Sequence, residues 1–121
     1  MPSIKKLLTS LGYAISGLAT TWQTQNNFRW HCLGLVLVII LGLVVDLKAI
    51  EWVVIFIISV LVLVVELVNT VMERLVDLAK PRVHVYAKII KDVMAGATLL
   101  VAMVAIVVGL LIFLPHLKEI L

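Results

Sequence analysis

The sequence of 121 residues is short of charge. Charged residues make up 14% of it and hydrophobic residues 64%, and the mean hydropathy is +1.23. A soluble domain of this size cannot bury that much apolar surface, because small domains leave a large share of their surface exposed. The composition therefore predicts a single domain that is embedded in a lipid bilayer.

Cysteine is almost absent, and the few histidines are scattered. Cys32 is the only cysteine, which excludes an intramolecular disulfide and a thiolate cluster. His31, His84 and His116 lie far apart and lack metal-ligand spacing. We interpret each of them as a surface or interface histidine.

The six glycines form neither a phosphate-binding loop nor a dinucleotide fingerprint. In an apolar chain, small residues allow helices to approach closely. We therefore interpret Gly34, Gly42, Gly96 and Gly109 as sites of close helix packing.

Three apolar segments are candidates to cross a bilayer. We assign the first span to residues 30–49 and the second to 51–78, including a cytoplasmic extension, and place the third in a helix over 84–115. Val93 to Leu114 contains no ionisable residue, and Pro115 is expected to end it. A span needs about 20 residues to cross about 30 Å of hydrocarbon. Lipid admits only helices or closed barrels, and continuous apolar runs without alternation exclude the barrel.

The residues before the first span predict a different kind of helix. Over residues 3–28, apolar side chains recur near helical spacing with polar ones between them. This pattern is typical of an amphipathic helix lying on the inner leaflet. The predicted fold class is therefore an all-α integral membrane protein, with three transmembrane helices and an N-terminal amphipathic surface helix.

Lysine and arginine predict the orientation. Eight of the ten lie at the ends of segments that share one side of the membrane: Lys5, Lys6, Arg29, Arg74, Lys80, Arg82, Lys88 and Lys91. Only Lys48 and Lys118 lie on the other side, so the first side is expected to be the cytoplasm. The net charge of +3 suits anionic headgroups, and we expect no nucleic-acid partner.

The apolar pattern breaks in the sequence VVELVNTVMERLVD, at the cytoplasmic end of the second span. At about 100° per residue, Glu66, Thr70, Glu73 and Asp77 fall on one helical face with Asn69 beside them. Glu66 lies two turns, roughly 10 Å, deeper than Glu73. An acidic group at membrane depth is costly unless it is hydrated, paired or protonated, so this face is a functional-site hypothesis. The alternative is that Glu73 and Asp77 only solvate a helix end.

The chemistry of this face favours phosphoryl transfer. A deep carboxylate such as Glu66 suits a general base or a proton carrier. The shallower carboxylates and amide suit a magnesium ion held together with substrate phosphates. Lys91 and Asp92 begin the third span near the same depth, and a lysine there could neutralise phosphate oxygens. Phosphorylation of a lipid hydroxyl and an ion-coupled transporter subunit that uses Glu66 as its carrier both remain open.

Two motifs carry a family resemblance. The sequences ELVNTVMERLVD and KDVMAGA, with the helix pattern over roughly residues 12–114, resemble the prokaryotic diacylglycerol kinase family, which includes undecaprenol kinases. NNFRWH and FLP look closer to the undecaprenol-kinase branch. The resemblance implies a lipid kinase of the bacterial inner membrane that uses ATP and Mg²⁺. It also implies a homotrimer with composite active sites on the cytoplasmic side. Diacylglycerol and undecaprenol are not distinguished as substrates.

The resemblance also implies roles for individual residues. Glu66 matches the catalytic base that takes the proton of the lipid hydroxyl, and Glu73 matches a metal ligand. The predicted nucleotide-binding positions are Tyr13, Asn69, Glu73, Asp77, His84, Lys91 and Asp92. The predicted lipid contacts are Glu66, Arg29 and Trp22.

One position departs from the family pattern. The best-known members have a glutamate, the second metal ligand, where this chain has Gln25. A glutamine carbonyl can still ligate magnesium, but it adds no charge to offset the metal. We therefore predict weaker metal affinity with the same reaction type. A catalytically inactive member that acts as a membrane scaffold is a further alternative, for which Gln25 is the only hint.

Overall fold

Helix is the only regular secondary structure in the part of the chain that the structure, a computed structural model, describes, residues 3–79 and 84–121. The chain forms α1 (Ile4–Thr24), α2 (Asn26–Val45), α3 (Ala49–Ala79) and α4 (His84–Ile120). Of all helix pairs, α3 and α4 share the most extensive contact. The all-helical class predicted from the sequence is confirmed.

Three of these helices are long and apolar enough to cross a membrane. The segments are Asn26–Val45, Ala49–Ala79 and Val85–Ile120, with mean hydropathies of 2.3, 2.7 and 3.0. Only 17%, 17% and 11% of their most apolar windows are buried within the chain. By length and composition they match the three predicted spans. Most of their apolar surface is left for lipid or for other subunits.

The N-terminal helix is shorter than predicted. It was expected over 3–28, but it ends at Thr24, because Gln25 adopts an extended backbone (φ −118°, ψ 108°) and a new helix begins at Asn26. The first span therefore starts earlier than the predicted 30–49. A single non-helical residue joins the N-terminal helix to the first span.

Arg29 ties these two helices together. Its guanidinium donates hydrogen bonds from Nε to the backbone oxygen of Trp22 and from Nη2 to that of Gln23. The last carbonyls of a helix have no partner within the helix, and a cation there also complements the helix dipole. Arg29 therefore stabilises the end of α1 from the first turns of α2.

The first span was expected to reach residue 49, but α2 ends at Val45, because Asp46 adopts a left-handed backbone. The remaining boundaries differ less, with one exception. α3 exceeds the predicted 51–78 by one or two residues at each end, which is the usual uncertainty of helix termini. α4 was expected to end at Pro115 but continues to Ile120. Proline removes one backbone donor and crowds the preceding turn, yet membrane helices tolerate it where neighbouring groups satisfy the backbone.

The best-packed part of the chain lies at the end of the spans opposite Glu66. Asp46 ends α2 in the left-handed region (φ 60°) and its N–H donates to the backbone oxygen of Gly42. Beside this turn, α2, α3 and α4 share a cluster of buried apolar side chains: Val45, Leu47, Ile55 and Phe113. The turn between α2 and α3 is thereby anchored to α4.

Close helix packing at glycine is confirmed at one of the four proposed positions. A Cβ added at Gly42 would lie 2.6 Å from Cη2 of Trp52 and 2.9 Å from Cδ1 of Leu47. At Gly34, Gly96 and Gly109 it would meet no heavy atom of the described chain within 4 Å. These three do not pack closely against another helix of this chain within its described residues, so their part of the prediction stays untested for contacts between subunits.

This difference predicts a stability effect. We expect Gly42→Ala to lower the free energy of unfolding by about 1–3 kcal/mol relative to Gly34→Ala, the usual cost of overpacking. Both glycines lie within α2, so the gain in helix propensity of up to about 1 kcal/mol is common to both variants. Unfolding of the purified variants in mixed detergent micelles measures the difference. Equal values would show that Trp52 moves aside without cost.

Candidate active site

Glu66 is buried in the middle of α3 and faces a histidine. The residue is 3% exposed, and its Oε1 lies 3.2 Å from Nε2 of His31 near the start of α2. The Thr70 hydroxyl donates to the backbone oxygen of Glu66 at 3.0 Å. A buried carboxylate is costly unless it is hydrogen-bonded or paired, and His31 supplies that partner.

Interpreting His31 as a surface or interface histidine was wrong. Its side chain is 29% exposed and, from α2, contacts Glu66 on α3. Sequence spacing carries no sign of this contact. A signal nevertheless exists: an ionisable residue inside a span calls for a partner at similar depth, and His31, like Arg29, is an ionisable residue near the start of the neighbouring helix.

A second carboxylate–histidine pair lies at the other end of the spans. Nε2 of His116 is 3.0 Å from Oε1 and 3.1 Å from Oε2 of Glu51. Oε1 of Glu51 also accepts the backbone N–H of Lys48 at 3.0 Å. Glu51 is in the first turn of α3, roughly 20 Å along the helix from Glu66 at 1.5 Å per residue. His116 therefore also has a specific partner, far from the polar face of α3.

Exposure rises along that polar face toward the end of α3. Glu66 is buried, Asn69 and Glu73 are half-buried, and Asp77 is exposed. Nδ2 of Asn69 donates to Oε1 of Glu73 at 3.4 Å. The polar face of α3 therefore extends from a buried position at Glu66 to an exposed one at Asp77.

An ion pair between Lys91 and Asp77 connects the open end of this face to α4, and Lys88 and Asp92 pair with each other within α4. Nζ of Lys91 lies 3.2 Å from Oδ1 of Asp77, and Nζ of Lys88 lies 2.7 Å from Oδ2 of Asp92. Exposed pairs of this kind contribute only about 0–1 kcal/mol. A bound anion could therefore replace Asp77 as the partner of Lys91 at a small cost in free energy.

Three of the residues predicted on the N-terminal side, Trp22, Gln25 and Arg29, lie at or near the junction of α1 and α2. Gln25 forms the joint itself and its side chain does not cap α2. The preceding Thr24 accepts a hydrogen bond at 3.5 Å from Nη2 of Arg74, which follows Glu73 in α3. Thr24 and Arg74 are in contact, and Gln25 and Glu73 are their respective neighbours in the sequence.

Two predicted side chains, those of Tyr13 and Trp22, are exposed and are not drawn into this arrangement within the described residues. Tyr13 is 75% exposed on α1, and no hydrogen bond joins it to α3 within residues 3–79 and 84–121. Trp22 is 44% exposed near the end of α1. His84 begins α4, but its side chain lies outside the described part of the structure.

The oxygen-bearing side chains at this site suit a hard cation only if a ligand such as a substrate phosphate binds the cation as well. Over the described ranges, no three His, Cys, Asp or Glu side chains are grouped so that they could hold a metal ion. Mg²⁺ commonly takes one or two carboxylates together with substrate phosphates instead of an all-protein cage. Glu73, with the side-chain amide of Asn69 beside it, fits that mode of binding.

An apolar cavity of about 470 Å³ lies between α2, α3 and α4 and reaches His31. Its walls are almost entirely aliphatic, with Ser59 as a further polar side chain. Several lining residues are exposed on the outer surface of the helices, including Trp30 and Ile106. The cavity therefore opens toward the lipid, and its volume is within the usual 300–1,000 Å³ of a ligand site.

The family model and the curated relatives that match this chain point to the same family. The family model described as "Prokaryotic diacylglycerol kinase" matches residues 12–113. The undecaprenol kinase of Bacillus subtilis is 38% identical over 114 residues, which are 94% of this chain and 93% of that protein. The diacylglycerol kinase of Synechocystis is 43% identical over 112 residues, 92% of this chain and 64% of that protein. That of Escherichia coli K12 is 25% identical over 111 residues, 92% and 91% of the two chains.

Proposed function

Since the chain belongs to the prokaryotic diacylglycerol kinase family and is a lipid kinase, we propose that it transfers the γ-phosphate of ATP to the hydroxyl of a membrane lipid alcohol. The acceptor is undecaprenol or diacylglycerol. The reaction takes place at the cytoplasmic interface and depends on Mg²⁺. Family membership does not favour the alternatives of an ion-coupled transporter subunit or an inactive scaffold.

The observation that carries this proposal is the buried Glu66 carboxylate, which contacts His31 in the wall of a cavity open to lipid. Glu66 accepts the proton of the lipid hydroxyl, and the hydroxyl oxygen attacks the γ-phosphorus in line. The bond between the γ-phosphorus and the bridging oxygen breaks, and ADP leaves with its electron pair. Such catalysis consists mainly of positioning and charge neutralisation.

The nucleotide binds above Glu66, along the rising polar face of α3. Glu73, with the carbonyl oxygen of Gln25, would hold Mg²⁺, which when bound neutralises charge on the phosphate oxygens. Lys91 exchanges Asp77 for a phosphate oxygen. The remaining nucleotide contacts in the proposal are Tyr13, Asn69, Asp77, His84 and Asp92.

The lipid reaches the site from within the bilayer. Its hydrocarbon chain occupies the apolar cavity, which brings the hydroxyl toward His31 and Glu66. Trp22 lies near the interface and contacts the lipid there, as tryptophan commonly does. Arg29 uses two of its five N–H donors on the end of α1, which leaves others for a lipid headgroup.

The assembly and orientation are part of the same proposal. The protein is a bacterial membrane protein; we place its N-terminus and active site on the cytoplasmic side of the inner membrane, where most of its basic residues lie. The 121 residues act as a single membrane kinase domain within a homotrimer. The small buried fraction of the spans supports contacts between subunits.

A transfer assay tests the proposed function. The purified protein in detergent micelles receives ATP labelled in the γ-phosphate, Mg²⁺, and both undecaprenol and diacylglycerol in competition. We expect label in the phosphate of at least one lipid, and the ratio of products identifies the preferred acceptor. No labelled lipid despite Mg²⁺-dependent ATP binding would overturn the kinase assignment. Absence of both would favour the scaffold.

A further inference from the structure

His31 stands between the apolar cavity and Glu66. It lines the cavity, whereas Glu66 does not, and its Nε2 lies 3.2 Å from Oε1 of the Glu66 carboxylate. A hydroxyl that enters from the cavity therefore meets the imidazole first, next to the carboxylate that the imidazole contacts. The two side chains come from different helices, α2 and α3, so their contact depends on the fold.

A general base needs a fixed carboxylate oxygen within reach of the proton it abstracts. Glu66 has three rotatable side-chain bonds and lies in apolar surroundings. Its side chain is 4% exposed, so water has little access to hold it. Without a donor nearby, a buried carboxylate is destabilised in its charged form. His31 is the side chain placed to meet both needs.

We propose that His31 is a positioning residue of the kinase reaction. In the reacting complex its Nε2–H donates to Oε1 of Glu66, which lies 3.2 Å away, and this leaves the second carboxylate oxygen to accept the proton of the lipid hydroxyl. His31 itself exchanges no proton with the substrate. The inference rests on the proposed function and adds to it the residue that orients the base.

Two substitutions separate the hydrogen bond from the bulk of the side chain. His31→Gln retains an N–H donor near the position of Nε2, whereas His31→Leu retains similar apolar volume and has no donor. We expect His31→Leu to lower kcat for lipid phosphorylation about 10–100-fold, the usual cost of losing an orienting partner. His31→Gln should recover most of that loss. KM for Mg²⁺–ATP should stay at the wild-type value in both variants.

A merely structural role would give a different result. Loss of packing would lower the activity of both variants together and would not be rescued by the amide. Wild-type kcat in His31→Leu, or an equal fall in His31→Gln, would overturn the positioning role.

A stability measurement reports the contact independently of kinase activity. His31→Leu leaves a buried carboxylate without its partner, so its thermal midpoint in detergent should fall. The double variant His31→Leu/Glu66→Leu replaces both polar groups by apolar ones and should recover the lost midpoint. No fall in His31→Leu, or no recovery in the double variant, would contradict the pairing. An inactive wild type would instead overturn the proposed function and, with it, the role of His31, while this thermal signature would persist.

Discussion

Glu66→Gln is expected to lower kcat for lipid phosphorylation by about 10²–10⁴-fold, the usual contribution of a general base. The amide has nearly the shape of the carboxylate, but it cannot accept the hydroxyl proton. Binding of Mg²⁺–ATP should survive, because Glu66 itself is not among the proposed nucleotide contacts. Single-turnover transfer of labelled phosphate and equilibrium ATP binding measure the two effects separately.

Glu51→Gln provides a matched control for this variant. Glu51 belongs to the same helix and is also paired with a histidine, with 3.0 Å between its Oε1 and Nε2 of His116. It lies at the opposite end of the span, so the same chemical change should leave kcat near the wild-type value. Full activity in Glu66→Gln, or an equal loss in Glu51→Gln, would refute the assignment of Glu66 as the base.

The second large effect is expected from Glu73→Gln. Removing the proposed metal-binding carboxylate should lower kcat/KM for Mg²⁺–ATP by about 10²–10³-fold, as the loss of one preorganised electrostatic group does. The loss should be smaller at high Mg²⁺, because a weakened site is filled by mass action. Initial rates across a series of free Mg²⁺ concentrations test this. Glu119→Gln, an exposed carboxylate near the end of α4, is the control.

Gln25→Glu should act in the opposite direction. A carboxylate at the joint between α1 and α2 adds a negative charge beside the proposed metal site, so half-maximal activity should need less Mg²⁺. The activity gain should appear at limiting Mg²⁺ and vanish at saturation. If the Mg²⁺ dependence of Gln25→Glu equals that of the wild type, position 25 is not a metal ligand. If Glu73→Gln likewise keeps the wild-type dependence, the metal site lies elsewhere.

The sequence was informative wherever one local pattern decided the structure. Apolar runs of sufficient length predicted the spans, since lipid leaves the backbone no alternative to a helix. The spacing of Glu66, Asn69, Glu73 and Asp77 predicted a common face, because helical geometry alone places them there. Their gradient of exposure then follows from the direction of α3.

Long-range contacts were not accessible in this way. The pairing of His31 with Glu66 depends on how α2 and α3 are rotated against each other, which no spacing encodes. The same holds for Gly42, whose close neighbour Trp52 lies beyond a turn. The break at Gln25 was missed because the polar run over residues 23–27 contains neither proline nor glycine, and a single extended residue separates the two helices.

The polar face of α3 has a consequence for the fate of ATP. If Glu66 and Glu73 act as proposed, the phosphoryl group in transit lies between them, at the level of Asn69, which is half-buried. The two carboxylates are two turns apart, roughly 10 Å along the axis. The γ-phosphate of ATP must then enter the protein below the aqueous surface before it can react. Water is scarce at that level, so the arrangement would protect ATP from wasteful hydrolysis until a lipid hydroxyl is in place.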